Sequence, residues 1–378
     1  MHYNCFMDKR ITTSHISTIL NAFGIYEEPI RTTELTNGNI NGTFRIEMPT
    51  DHGYILQSVN TDIFKDPYSM MRNIDLVTDH IRRTVIAEGL DPSRATLNFH
   101  HTQEGALLFP HEDHLFRLAD YIHDSMAFNT KADTSVLAKA GEGFGRFEAQ
   151  LADFDASLLS ETIPNFHNTK LRIESFERTI EKNPCGRLSD CEKEASHLLE
   201  TKEESSVLCN MLEHGEVPLR ATHNDTKTNN ILFDKNTHEF LAVIDLDTVM
   251  PGLLAYDAAD TIRFSANTAE EDEKDISKVS LDLSLYEAFL SGFLGKTAHF
   301  MTKLEKETLV IGIQTIVYEQ ALRFLDDYIA GDVYYKTSRP RHNLDRARCQ
   351  LALYDDMKRK ETQMHSIARR IIRANLGC

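Results

Sequence analysis

Polar and apolar positions alternate with a period of two between residues 31 and 60, the period of a half-buried strand. Residues 43–47 form one such run and residues 54–59 another. Turn residues Pro49, Asp51 and Gly53 stand between them, so a hairpin is expected. Just before it, Thr36-Asn37-Gly38-Asn39-Ile40-Asn41-Gly42 is rich in residues that tolerate unusual backbone angles and can offer N–H groups to a phosphate. At Asp66 the period changes. Asp66 can cap a helix, Pro67 suits its first position, and Met70, Ile74, Val77 and Ile81 follow at spacings of three and four. Residues 95–118 (ATLNFH, GALLFP, HLFRLA) read as three more short strands, so the first 120 residues are expected to be a small sheet with one helix.

Beyond residue 122 the texture becomes helical. Residues 134–154 carry an apolar stripe at Leu137, Ala140, Phe144, Phe147 and Leu151. Residues 189–214, 281–331 and 343–373 are also helical by pattern, whereas 237–249 reads as a short hairpin strand. A chain of 378 residues exceeds the ~250–300 at which single cores stop growing. The expected architecture is α+β: a β-rich part over residues 1–120, a short connection at 121–125, and a larger helical part over 126–378.

Composition narrows the function. Hydrophobic residues at 41% and charged residues at 26% describe an ordinary globular protein. A formal charge of −17 lacks the basic surplus that nucleic-acid binding needs, and acidity of this kind commonly serves solubility alone. The six cysteines include no Cys-x-x-Cys pair, so reduced thiols are expected. No apolar run approaches the ~18–20 residues of a membrane span, and the N-terminal MHYNCFMDKRITTSH lacks the apolar core of a secretory signal. A cytoplasmic protein without a membrane partner is expected, and the sequence does not encode an oligomeric state that can be read.

The chemistry concentrates at residues 223–247. His223-Asn224-Asp225-Thr226-Lys227-Thr228-Asn229-Asn230 precedes the apolar Ile231-Leu232-Phe233, and after a turn Leu241-Ala242-Val243-Ile244 runs into Asp245-Leu246-Asp247. Phosphoryl transfer from ATP needs a carboxylate at the acceptor hydroxyl, an amide or carboxylate oxygen on the metal, and a second carboxylate bridging metal and phosphates. Asp225 suits the first role, and Asn230 and Asp245 suit the metal, since Mg²⁺ favours oxygen ligands and keeps several waters. Read without chemistry, the same segment is a polar loop whose Asn and Asp side chains cap turns.

These residues resemble the aminoglycoside phosphotransferase and choline kinase superfamily, whose pattern is His-x-Asp-x-x-x-x-Asn followed by a strand ending in Ile-Asp-x-Asp. His223, Asp225, Asn230, Ile244, Asp245 and Asp247 fill those places. That resemblance implies a fold similar to protein kinases, in which a β-rich lobe and a helical lobe enclose ATP. A closer resemblance is to the N-acetylhexosamine 1-kinases, which phosphorylate the anomeric hydroxyl of N-acetylglucosamine and N-acetylgalactosamine. It rests on Asn224-Asp-Thr-Lys227, Asp245-Leu-Asp-Thr-Val-Met-Pro-Gly252, Tyr256-Asp257, Asp260-Thr-Ile-Arg263, Tyr54-Ile-Leu-Gln57 and Phe64-Lys-Asp-Pro67. Further blocks are Ile163-Pro-Asn-Phe-His167, Ala321-Leu-Arg323-Phe-Leu and His342-Asn-Leu-Asp-Arg346-Ala.

The resemblance implies that Asp225 accepts or orients the proton of the sugar hydroxyl, that Lys227 stabilises charge on the transferring phosphoryl group, and that His223 and Asp257 are structural. Substrate contacts are expected from His167, Arg263 and Arg323, with Arg263 holding Asp260 or reaching the sugar. Within an apolar helix Arg323 needs a partner, which is sugar or an acid such as Asp326 or Asp327. Nucleotide contacts are expected from Asn37, Gly38, Asn39, Gln57 and the backbone of Tyr121 and Ile122.

One departure matters. Protein kinases and antibiotic kinases carry a lysine where this chain has Gln57, and an amide cannot supply an ammonium's charge. Either another cation serves the phosphates, with Arg45, Lys65 and Arg72 as candidates, or the metal carries more of that load. The N-acetylhexosamine kinases share the glutamine. Three alternatives stand beside the sugar-kinase reading. A choline or amino-alcohol kinase would box its ammonium in aromatics, yet the chain has no Trp. An aminoglycoside kinase would recruit acids such as Asp326-Asp327 or the run 270–275. A catalytically silent nucleotide-binding regulator would have no need of Asp225, Asn230 and Asp245 together.

Overall fold

Short alternating segments and long amphipathic ones divide the elements of the computed structural model, which describes residues 13–35, 40–50, 52–128 and 133–377. In chain order they are α1 (Thr13–Ala22), β1 (Arg31–Leu35), β2 (Gly42–Glu47), β3 (Gly53–Val59), α2 (Pro67–Ala87), β4 (Phe109–His111), β5 (His114–Asp120) and β6 (Ser125–Met126). Next come α3 (Thr134–Gln150), α4 (Thr169–Lys182), α5 (Glu192–Glu200), α6 (Lys202–Ser205), α7 (Val207–Glu213), β7 (Arg220–Thr222), β8 (Ile231–Asp234), β9 (Phe240–Val243) and β10 (Met250–Gly252). The last are α8 (Leu254–Ser265), α9 (Leu283–Thr297), α10 (Lys303–Ala330), α11 (His342–Arg359) and α12 (Glu361–Leu376). The chain forms two compact units, the first from Met1–Met126, Ser157–Ile163 and Leu232–Met250, the second from the remainder.

The first unit is built on a five-stranded sheet of order β1-β2-β3-β5-β4 whose given pairings are all antiparallel. Alternation sends Phe44, Leu56, Phe116 and Leu118 into one apolar cluster with Ile16, Ile19 and Leu20 of α1 and with Phe23 just after it. The opposite parity carries polar residues in register: Thr43 pairs with Gln57, and Gln57 with Arg117. Helix α2 starts as its cap predicts, Asp66 accepting the Ser69 N–H at 3.0 Å, and buries Met70, Ile74, Val77 and Ile81. Asn73, fully buried on α2, donates to the carbonyls of Ser160 (2.7 Å) and Val249 (2.9 Å), tying two distant segments to one helix. Strands β6, β8 and β9 form a small separate sheet.

Two expectations change here. The described part of the first 120 residues holds two α-helices, because α1 adds Ile16, Ile19 and Leu20 to the apolar cluster. Of the three strands expected over 95–118, ATLNFH contributes only an isolated bridge between Phe99 and Ala119. Its Asn98 and His100 instead bond the Asp120 carboxylate, at 2.6 and 2.7 Å.

The second unit is helical around α10, which packs on α4, α8 and α11. The stripe of α3 is buried at Leu137, Ala140, Phe144 and Phe147. Its glycines set the approach to α9: a Cβ on Gly141 would stand 2.0 Å from the Phe289 carbonyl oxygen, and one on Gly292 would stand 2.1 Å from that of Ala138. The long helical stretches are interrupted where side chains capture backbone groups. Thr302 and Glu305 form a capping box that starts α10 afresh after α9. The hydroxyls of Thr201 and Ser206 bond back to the carbonyls of His197 and Lys202, at 2.9 and 2.8 Å, where 189–214 breaks into short helices. Residues 343–373 likewise divide at Lys360, whose ammonium reaches the Leu281 carbonyl at 2.8 Å. No helix among the described residues is long and apolar enough to cross a membrane.

Because both backbones must part to admit a methyl group, Gly141→Ala is expected to destabilise the protein by at least about 1–3 kcal/mol. Thermal melting checks this, and an unchanged midpoint contradicts such close α3–α9 packing.

Candidate functional site

Strand β7 delivers the chain into His223–Asn230 within the second unit. His223 is fully buried, its ring edge-on to Phe144 and Phe147 of α3 at centroid distances of 5.8 and 5.9 Å. Its Nδ1 accepts the Asp225 N–H at 3.2 Å. Asn224 adopts the left-handed region (φ 63°), which an asparagine tolerates better than most residues and which turns the loop sharply. β10 pairs with β7, and a Cβ on Gly252 would lie 2.2 Å from the Thr222 hydroxyl, so only glycine fits beside the loop.

Asp257, in the first turn of α8, holds this loop. Its carboxylate accepts the backbone N–H groups of His223 (2.6 Å) and Asn224 (2.7 Å), while its carbonyl accepts the Thr226 hydroxyl at 2.6 Å. Asn230 donates its Nδ2 to the Asp225 carbonyl at 3.0 Å, which leaves Oδ1 as the amide atom with lone pairs to offer a hard cation. Lys227 Nζ lies 2.8 Å from the Asp225 carboxylate.

A second carboxyl stands behind Asp257. Glu148 of α3 is buried, and its pKa is driven well above the ordinary range by desolvation first, then by the Asp257 charge and the hydrogen bond between the two groups. A bond between two carboxyls needs one proton, and the raised pKa directs that proton to Glu148. The sequence carried a signal for it, since Glu148 follows Phe144 by four and precedes Leu151 by three, on the apolar stripe itself.

The residues expected on the acceptor side gather in one charge network of the second unit. Asp260 is bound by Arg263, which also reaches Glu271 at 2.7 Å. Burial pushes the Asp260 carboxyl up, but Arg263 and then Lys227, with His167 contributing, hold it below its usual value. His167 Nδ1 lies 3.2 Å from Glu319, which also pairs with Arg172 at 2.9 Å. Burial raises the Glu319 pKa, yet His167, Arg172 and Arg323 together lower it to about 2.

Arg323 is paired with neither Asp326 nor Asp327 among the described residues. Its one hydrogen bond there goes to Gln320 at 3.3 Å, and its guanidinium lies 5.6–5.9 Å from the ring centroids of Phe166, Tyr334 and Tyr335. Asp327 builds that cage by accepting the backbone N–H groups of Val333, Tyr334 and Tyr335 at 2.7–2.9 Å.

In the first unit the two aspartates of Asp245-Leu246-Asp247 differ. Asp245, in the left-handed region (φ 61°), is exposed, whereas Asp247 is buried. Asp247 accepts Arg117 Nη1 at 2.5 Å and Asn41 Nδ2 at 2.6 Å. Gln57 is turned onto its neighbours, donating to the Thr43 hydroxyl (3.2 Å) and accepting Arg117 Nε (3.0 Å). The Tyr121 N–H is bonded to the Gly53 carbonyl at 2.9 Å, and the Ile122 carbonyl accepts the Ser125 hydroxyl at 2.6 Å. Asn37, Gly38 and Asn39 lie outside the described residues. Of the cations considered for the phosphates, Arg45 lies over the Tyr121 ring at 4.3 Å, Arg72 is exposed and bonded to the Leu158 carbonyl, and Lys65 is exposed. Arg117 escaped the sequence reading.

A family model described as "Phosphotransferase enzyme family" matches residues 33–280. Among solved structures, the chain is similar to the choline kinase of Cryptosporidium parvum Iowa II (TM-score 0.55, 15% identity, covering 96% of this chain and 99% of that one). It is similar also to a microcompartment-associated aminopropanol kinase (0.58, 11%, 93% and 98%). A third is a spectinomycin phosphotransferase in complex with ADP and spectinomycin (0.53, 12%, 91% and 100%). At these identities the structures share a fold.

The Glu148–Asp257 pair generates a pH prediction. A carboxyl whose folded pKa is raised stabilises the fold fully below its unfolded value, near 4.5. That stability is lost as pH rises toward the folded pKa, by up to about 1.4 kcal/mol per unit. Glu148→Gln keeps a neutral donor and has no proton to lose. Its melting temperature is therefore expected to gain on the wild type steadily from pH 5 to pH 8, and parallel profiles would contradict a protonated Glu148.

Proposed function

We propose, from the premise that this chain belongs to the phosphotransferase enzyme family, that it is an ATP- and Mg²⁺-dependent kinase acting on the anomeric C1 hydroxyl of N-acetylhexosamines. Kinase chemistry follows from the family. The choice of acceptor is argued from charge in the second unit.

The observation that carries it is the asymmetry of pairing around Asp225. Asp225 is matched by Lys227, Asp260 and Glu271 by Arg263, and Glu319 by Arg172 and His167. These carboxylates leave little unmatched negative charge for an ammonium. Arg323, by contrast, is a cation with no salt bridge among the described residues, and the aromatic cage that would suit a choline-like group surrounds it. A guanidinium with spare N–H donors suits a neutral acceptor rich in hydroxyl and carbonyl oxygens. That favours an acetamido sugar over choline, aminopropanol or an aminoglycoside. The intact Asp225, Asn230 and Asp245 speak against a silent nucleotide-binding regulator.

In this reading Asp225 orients the C1 hydroxyl and takes its proton as O1 bonds to the γ-phosphorus and ADP leaves. Lys227 fixes the Asp225 carboxylate and balances charge on the transferring group. Asn230 Oδ1 and the exposed Asp245 would hold the divalent cation, an all-oxygen donor set that fits Mg²⁺. When bound, that ion neutralises the phosphate charge. Asp257 and His223 keep the loop in shape. His167 and Arg323 meet the sugar, and Arg263 acts through Asp260. The nucleotide role is proposed for residues 1–120 and the acceptor role for residues 126–378, with 121–125 as the hinge.

ADP release from Mg-ATP across a panel of acceptors tests this. N-acetylglucosamine or N-acetylgalactosamine is expected to be turned over and choline and kanamycin not; the reverse pattern refutes the assignment. Asp225→Ala is expected to lower kcat by about 10²-fold or more while sugar binding changes little. Near-wild-type kcat would remove Asp225 as the base.

A further inference from the structure

Gln57 leaves the nucleotide side of this kinase without its expected cation, and the sheet register sets an arginine directly opposite it. Thr43, Gln57 and Arg117 are directly paired across β2, β3 and β5. They therefore form one polar row on the face opposite Phe44, Leu56 and Leu118. The row ends on Asp247, beside the metal-binding candidate Asp245 in sequence.

Arg117 is 2% exposed, and a guanidinium that buried is held by every partner it has. Nε donates to Gln57 Oε1 at 3.0 Å, Nη1 to Asp247 at 2.5 Å and to Met71 Sδ at 3.5 Å, and the Phe99 ring centroid lies 5.4 Å from the guanidinium carbon. Gln57 is in turn steadied by Thr43, and Asp247 by Asn41. Nη2 has no hydrogen-bond partner among the described residues, although an arginine carries five N–H donors. The protein thus keeps a desolvated positive charge in a fixed plane, with one edge unspent. Asp247 offsets the cost of burying that charge, and the remaining guanidinium edge suits phosphate oxygens.

We propose that Arg117 is the phosphate-binding cation of this kinase: from β5 it supplies, through Nη2, the charge that a lysine at position 57 would supply from the neighbouring strand. Gln57 is then a clamp on the guanidinium, and Asp247 its counter-ion. The inference rests on the kinase reading but is independent of the acceptor.

Calorimetric affinities of the full chain for adenosine and for ADP, both with Mg²⁺, test it. In Arg117→Met, ADP binding is expected to weaken about tenfold or more while adenosine stays within about twofold. Gln57→Lys added to Arg117→Met returns a cation to the same row and is expected to recover most of the ADP affinity. Unchanged ADP affinity in the folded single variant overturns the proposal. So does a proportional loss of both ligands, which marks a merely structural role, or a folded double variant that binds ADP no better. If Arg117→Met fails to fold because Asp247 is stranded, Arg117→Lys keeps the charge. It is expected to lose ADP affinity severalfold with adenosine unaffected, and wild-type ADP affinity there overturns the proposal. A wild-type chain that binds neither ligand strikes the kinase reading itself.

Discussion

The hydrogen bonds that the Asp257 carboxylate accepts from two successive backbone N–H groups, those of His223 and Asn224, are the constraint on which the loop 223–230 depends. Backbone donors in a buried, sharply turned loop have no helix or sheet partner, and leaving them unmet costs about 1–3 kcal/mol each. Asp257 meets both from the start of α8. Burial first, and then the charge of the same Asp257, raise the Glu148 pKa, and Asp257 also holds the N–H of Asn224 in its left-handed turn. With the loop fixed, the Asn230 amide can brace Asp225 from its own side.

Charge is distributed by a common rule in both units. In the second, the acids around Asp225 are matched by the chain's own cations, and Arg323 is left over among aromatic rings. In the first, Asp247 is matched by Arg117, and Asp245 stays exposed. Despite a net charge of −17, the candidate site residues therefore form no acidic sink among the described residues. Its acidity lies mostly elsewhere, and the groups suited to oxygen-rich ligands are cationic.

Much of this was legible in the sequence because it is local. The spacing of His223, Asp225 and Asn230 fixes a loop whose internal bonds follow directly, and the Asp66-Pro67 cap gave the start of α2. What escaped was relational. Arg117 lies in HLFRLA, where alternation already puts it opposite Phe116 and Leu118. Only the strand register reveals that it faces Gln57. Arg323 was recognisable as an arginine needing a partner, but its cage depends on Asp327 capturing the backbone of residues 333–335. Likewise ATLNFH has a strand's composition, and it fails to extend a ladder where Asn98 and His100 are engaged by Asp120.

In the proposed reaction one oxygen atom, that of the anomeric hydroxyl, attacks phosphorus. Phosphorus NMR of the product made from N-acetylglucosamine or N-acetylgalactosamine with Mg-ATP reads it directly. A phosphate coupled to the anomeric proton at C1 is expected. A phosphate on C6, or on an amino alcohol in place of the sugar, would contradict it.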